Sequence, residues 1–134
     1  MSTEARFAHR FLWLRLLRLS LVAGAAYDLG FAAIMVLAPG LPARLLGLPL
    51  PGEAFYLWLM AILLSMLAAL YLLAAHDPRR YSGIIAVAVG GRLLGAVAFA
   101  LAAQGRPDLG GLYPLAGADL ALAASHAICW WRLR

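Results

Sequence analysis

Three ionisable residues stand well inside long apolar runs of the sequence: Asp28, Arg92 and Asp119. A charged group surrounded by hydrocarbon is costly, so each needs a partner or a task. Counted from matching ends of their runs at about 1.5 Å per residue, the three agree in depth to within about 6 Å, and Ser65 lies at a similar level. The arrangement expected is one arginine shared between two aspartates in a bundle interior. It has two uses. As a buried ion pair it fixes helix register. Alternatively, the formal excess of one aspartate leaves a carboxyl able to carry a proton or grip a cation. Burial disfavours the charged carboxylate and Arg92 favours it, and the residues alone leave both uses open.

His126 follows Asp119 by two helical turns and projects from a similar side, where a histidine beside Ser125 and Cys129 reads as a packing residue. A haem site would need a second histidine at matching depth, and His9 and His76 lie near the ends of the runs. Cys129 is the single cysteine, which excludes an intrachain disulfide, a dithiol redox pair and a thiolate metal site. No zinc cluster is present either. The glycine-bearing stretch Gly90-Gly91-Arg92-Leu93-Leu94-Gly95 lacks a phosphate-loop lysine and the dinucleotide spacing, and it sits inside an apolar run. The expectation is no cofactor, no metal and no catalytic constellation.

The elements that must position these residues follow from composition. Of 134 residues, 65% are hydrophobic and 13% charged, and the mean hydropathy is +0.87. A soluble domain carries about 25% charged residues, so the solvent for most of this surface must be lipid. Four apolar runs reach the roughly 20 residues needed to cross a hydrocarbon core: 19–38, 54–75, 81–103 and 112–131. Pro39-Gly40, Pro51-Gly52-Glu53, His76-Asp77-Pro78-Arg79-Arg80 and Gln104-Gly105-Arg106-Pro107-Asp108 punctuate them. The expected fold is an all-α, polytopic membrane bundle of four helices forming a single domain.

Small residues recur along the runs. Ser20, Gly24, Asp28 and Ala32 fall every four residues, as do Ala61, Ser65 and Ala69, then Gly91 and Gly95, then Gly117, Ala121 and Ser125. Helices in lipid associate through close backbone approach at such stripes. Gly24, Gly91, Gly95 and Gly117 are therefore the expected helix-packing glycines, and the polar groups should point at other helices.

The formal charge of +5 comes from eleven arginines and no lysine. Because the arginines sit at the ends of apolar runs, they indicate membrane topology and not a nucleic-acid face. Arg6, Arg10, Arg15, Arg18, Arg79, Arg80, Arg132 and Arg134 fall on one side; Arg44 and Arg106 fall on the other. The positive-inside rule then places both termini in the cytoplasm. Residues 1–18 read as a basic cytoplasmic extension of the first helix, because their arginines spread over about 240° and leave no clean polar face. Arg15 and Arg18 also interrupt the apolar core that a cleavable leader would need. The loop 39–51 should lie at the outer interface with its Leu45-Leu46-Gly47-Leu48 patch, and Tyr56, Trp58, Tyr71, Tyr81, Tyr113, Trp130 and Trp131 read as interfacial aromatics near helix ends.

Gly30 in the first helix, the Pro39 stop, the Leu46-Gly47-Leu48 loop, Gly91-Arg92 in the third helix and the Gly105-Arg106-Pro107 turn follow one another in a set order. That order resembles a family of small four-helix bacterial inner-membrane proteins of unknown function, over nearly the whole chain. Where that family has an arginine opening the second helix, this chain has Phe55-Tyr56-Leu57-Trp58. The resemblance implies a bacterial inner-membrane bundle and implies no activity.

The function expected is that of a non-catalytic accessory or interaction component, associating with a second copy or with other membrane subunits. One alternative is a proton-coupled transporter or channel acting as a homo-oligomer, with Asp28 or Asp119 as the coupling carboxyl. Another is a membrane enzyme on a lipid or isoprenoid substrate, with Asp119, His126 and Asp28 as acid and base.

Overall fold

The computed structural model describes residues 3–49 and 52–134, without the side chains of Thr3 and Arg6. The expectations for Pro51, for the first residues of the 1–18 extension and for the Arg6 side chain lie outside these. Five helices follow one another: α1 Thr3–Leu37, α2 Gly40–Leu46, α3 Ala54–His76, α4 Ser82–Ala103 and α5 Leu112–Trp131, with a 3₁₀ turn at Pro107–Leu109. No strand occurs among the described residues. Four helices, over Phe7–Leu37, Ala54–His76, Ser82–Ala103 and Leu112–Trp131, are long and apolar enough to cross a membrane. Their outward faces are apolar, as at Leu19, Val87 and Leu94.

Two boundaries differ from the sequence expectation. The first helix is continuous from Thr3 to Leu37, about 50 Å at 1.5 Å per residue, so the basic extension is itself helical. No glycine or proline interrupts residues 3–23, and leucine, arginine and alanine hold the helix well. The loop 39–51 contains the short helix α2. Pro39 enters it with φ −59°, and Gly47 stops it in the left-handed region at φ 64°, a conformation that glycine adopts freely.

The chain packs as two hairpins. α1 lies along α3, α4 lies along α5, α1 also touches α5, and α3 and α4 meet only sparsely although a short turn joins them. In that turn the Asp77 carboxylate accepts the backbone N–H groups of Arg79 and Arg80, each at 3.2 Å. The Arg18 guanidinium donates to the His76 carbonyl at the end of α3, at 3.2 Å, where a cation suits the negative pole of the helix. Beneath this end lies an apolar cluster of Leu17, Leu21, Ala74, Ala75, Ile85 and Cys129.

At the opposite end, Arg106 and Asp108 form an exposed pair at 2.7 Å, and the hydrogen-bonded guanidinium holds the Asp108 carboxyl below the usual carboxylate range. There α2 presses on the start of α5. A Cβ built on Gly111 would overlap the Leu46 carbonyl, whereas one on Gly117 meets nothing within 4 Å. Backbone cannot move aside as a side-chain tip can. Gly111→Ala should therefore lower the thermal unfolding midpoint in detergent, at a cost of about 1–3 kcal/mol typical of overpacking, and Gly117→Ala should leave it unchanged or raised.

Candidate functional site

α4 carries Arg92 at its middle, facing inward in line with Ile85, Ala88 and Ala96. α1 brings Asp28 to the same level through its inward face of Leu17, Leu21, Ala25 and Asp28. α5 brings Asp119 on a face shared with Ala116, Ala123, His126 and Cys129. The three charges meet. Arg92 donates through Nη1 to Asp119 Oδ1 at 2.6 Å and through Nη2 to Asp28 Oδ1 at 2.7 Å. Nη2 also reaches the Gly24 carbonyl at 3.3 Å. All three side chains are nine-tenths or more buried.

Two aromatic rings complete the enclosure. The guanidinium carbon lies 5.1 Å from the Tyr27 ring centroid and 5.4 Å from that of Tyr71, within the range of cation–π attraction. The far edge of Tyr71 meets the His126 ring in a T-shaped contact at 5.9 Å. His126 is fully buried, with Nδ1 hydrogen-bonded to the Ser20 hydroxyl. Ser20 also pairs with Ser125 at 2.8 Å, and Ser125 donates to the Leu122 carbonyl. One polar path thus runs along the bundle axis, from Ser20 and His126 past Tyr71 to Arg92 and its carboxylates.

Close backbone approach makes room for it. A Cβ on Gly24 would stand 3.2 Å from His126 Nε2 and 3.3 Å from the Tyr71 ring. One on Gly95 would stand 2.7 Å from Asp119 Oδ2, and displacing that oxygen would pull Asp119 off the guanidinium. These two glycines lie where helices close on the polar cluster. Gly91 and Gly117 have nothing within 4 Å of an added Cβ, so close approach does not occur at either.

Ser65 stands apart from the cluster. Its hydroxyl bonds back to the Ala61 carbonyl at 2.8 Å, and it lines an outward groove between α1 and α3 with Ala33 and Ala69. The face of α3 that turns inward is set by Ala61, Ala68 and Ala75, seven residues apart, and not by the Ala61, Ser65, Ala69 stripe. Tyr71 belongs to that inward face at 3% exposure, so it is an interior ring and not an interfacial one. Its spacing from Ala68 and Ala75 was the available signal. Ser20 belongs to the Asp28 stripe; Tyr27 only adjoins it, and an aromatic one residue before a buried acid is too common a pattern to single out.

Two cavities flank the clamp. One, of about 220 Å³, opens on Asp28, Arg92 and Asp119 beneath Pro42 and Leu48 of the α2 region, with Phe31 and Met60 among its apolar walls. The other, of about 200 Å³, reaches the same three residues through the thin α3–α4 seam at Leu67 and Val87. His126 lines neither, so no acid–base pair with Asp119 faces a shared space. Asp28 Oδ2, Arg92 Nε and His126 Nε2 have no hydrogen-bond partner among the described residues, and no group of three or more His, Cys, Asp or Glu there is placed to hold a metal.

No family model, curated protein or solved structure matches the chain.

The clamp is a three-body device, so its loss depends on what is left behind. Arg92→Leu strands two carboxylates and should cost about 3–5 kcal/mol, read as a large fall in the detergent unfolding midpoint. Asp28→Asn with Arg92→Leu and Asp119→Asn removes all three charges and should restore most of that stability. If the single variant unfolds at the wild-type temperature, the clamp does not hold the bundle.

Proposed function

We propose that the chain is a multi-pass protein of a bacterial inner membrane, with its four long apolar helices crossing the bilayer and its basic end, carrying both termini, in the cytoplasm. Within that membrane it serves as a non-catalytic component of an assembly, joined to a second copy or to other membrane subunits. The resemblance to small four-helix inner-membrane proteins agrees with this reading. The observation that carries it is the use made of the buried charge: Arg92 takes up both interior carboxylates, at 2.6 and 2.7 Å, and so ties α1, α4 and α5 together. What the bundle presents outward is largely apolar, including the groove between α1 and α3, where Ala33, Ser65 and Ala69 lie among larger side chains such as Leu29, Trp58 and Met66, a surface suited to helix association.

A second reading is favoured by one feature. The cavities on either side of the clamp both open on Asp28 and Asp119, and the cluster holds one carboxyl more than guanidinium. A proton-coupled carrier of small molecules would use such a carboxyl, loading it from one side and releasing it to the other.

In a Cys129→Ser background, Gln104→Cys should react with a membrane-impermeant maleimide in intact cells, and Arg80→Cys only after lysis; the reverse pattern would overturn the orientation. Gently solubilised from native membranes, the protein should elute as an assembly larger than one chain. A lone monomer there would count against this reading, and proteoliposome flux that is lost in Asp28→Asn and Asp119→Asn would replace it by the second.

A further inference from the structure

At the basic end, three segments distant in sequence enclose a cavity of about 250 Å³. α1 contributes Arg10, the α3–α4 turn contributes Arg79, and the segment after α5 contributes Arg134, with Ser82 at the start of α4 completing the polar rim. Among the described residues no acidic side chain lines it. Asp77, the nearest acid in sequence, turns its carboxylate to the amides of Arg79 and Arg80. Among the described residues the side-chain ion pairs belong to Arg92 and Arg106, so the cavity arginines have no carboxylate of their own. α4 opens at Ser82 with no side-chain cap, which adds the positive pole of a long helix to the same wall.

The inner wall is of the opposite character. Leu14, Leu17 and Leu133 line it, and Leu17 belongs to the apolar cluster with Leu21 and Ile85 that continues toward the bundle middle. Trp130 stands at the boundary, with the Arg134 guanidinium stacked 4.1 Å from its ring centroid. Stacking holds that planar fork in place, and a guanidinium fork matches two phosphate oxygens at once. Topology alone explains arginines at this end; it does not explain three of them converging on one cavity with apolar walls and no acid.

From this geometry we infer that the cavity binds the phosphate of an anionic glycerophospholipid, its headgroup among Arg10, Arg79 and Arg134 and its acyl chain along Leu14 and Leu17. The ligand chemistry is a phosphate ester, which a soluble phosphate also offers; the apolar wall favours the lipid. The inference rests on the membrane reading above, and the two fail separately: loss of the chain from carbonate-washed membranes would count against that reading, whatever the lipid result.

The test is native mass spectrometry of the full chain released from mixed micelles containing phosphatidylglycerol or phosphatidylcholine. Phosphatidylglycerol adducts should survive at energies that strip phosphatidylcholine. Replacing Arg10, Arg79 and Arg134 together by Gln should weaken phosphatidylglycerol binding roughly 100-fold, the combined scale of three basic residues at an anionic membrane surface. Arg44→Gln, at the other end, should leave it unchanged, and an unaltered unfolding midpoint establishes that the triple variant is folded. Equal retention of the two lipids, or undiminished binding by the triple variant, would overturn the inference. So would displacement of phosphatidylglycerol by millimolar glycerol phosphate, which would make the ligand a soluble phosphate ester.

Discussion

A guanidinium cannot shed its charge, so a helix that places one at its middle commits its neighbours to supplying anions. Arg92 is that group here, and Asp28 and Asp119 are the reply, from helices on either side of it. Much of the packing follows. α1 and α5 must approach α4 closely enough for contacts of 2.6 and 2.7 Å, which is why glycine stands at positions 24 and 95, where a methyl group would crowd His126, Tyr71 or Asp119. The tyrosine rings at positions 27 and 71 offer the cation a π face where water would otherwise have to enter.

The long helices and the meeting of three charges were legible in the sequence because both rest on cost. Long apolar runs have one cheap conformation in lipid, and isolated charges at equal depth have one cheap arrangement. Rotation of a helix about its axis was less legible. In α3 the residues inward and outward of the polar level are nearly all apolar, so Ser65 and Tyr71 gave no contrast by which to choose the inward face; the alanines at 61, 68 and 75 decide it through size alone. For the same reason Gly91 and Gly117, set in stripes as regular as those of Gly24 and Gly95, do not mark close contacts. The helix α2 was hidden for another cause. Its seven residues carry no periodic signal, and its limits are set by Pro39 and the left-handed Gly47.

The bundle is polar at two levels that differ in kind. At the interior level the positive group is answered by two carboxylates from within the chain. The level at the basic end is open, its arginines answered by no acid in the cavity they surround. Next to the interior level, Ser20 on α1 bonds His126 on α5, whose ring meets Tyr71 on α3.

The sparse seam between α3 and α4 has a consequence for biogenesis. Synthesis delivers the hairpin of α1 and α3 first, with Asp28 alone in it, and the hairpin of α4 and α5 second, already carrying both Arg92 and Asp119. Within the second half the interior charges Arg92 and Asp119 already form a neutral pair. The Arg92–Asp28 pair joins the halves, beside the α1–α5 contact and the apolar cluster of Leu17, Leu21, Ala74, Ala75, Ile85 and Cys129. The Arg92–Asp28 contact is thus the interior ion pair that spans the two hairpins, across a seam where α3 and α4 themselves meet only sparsely.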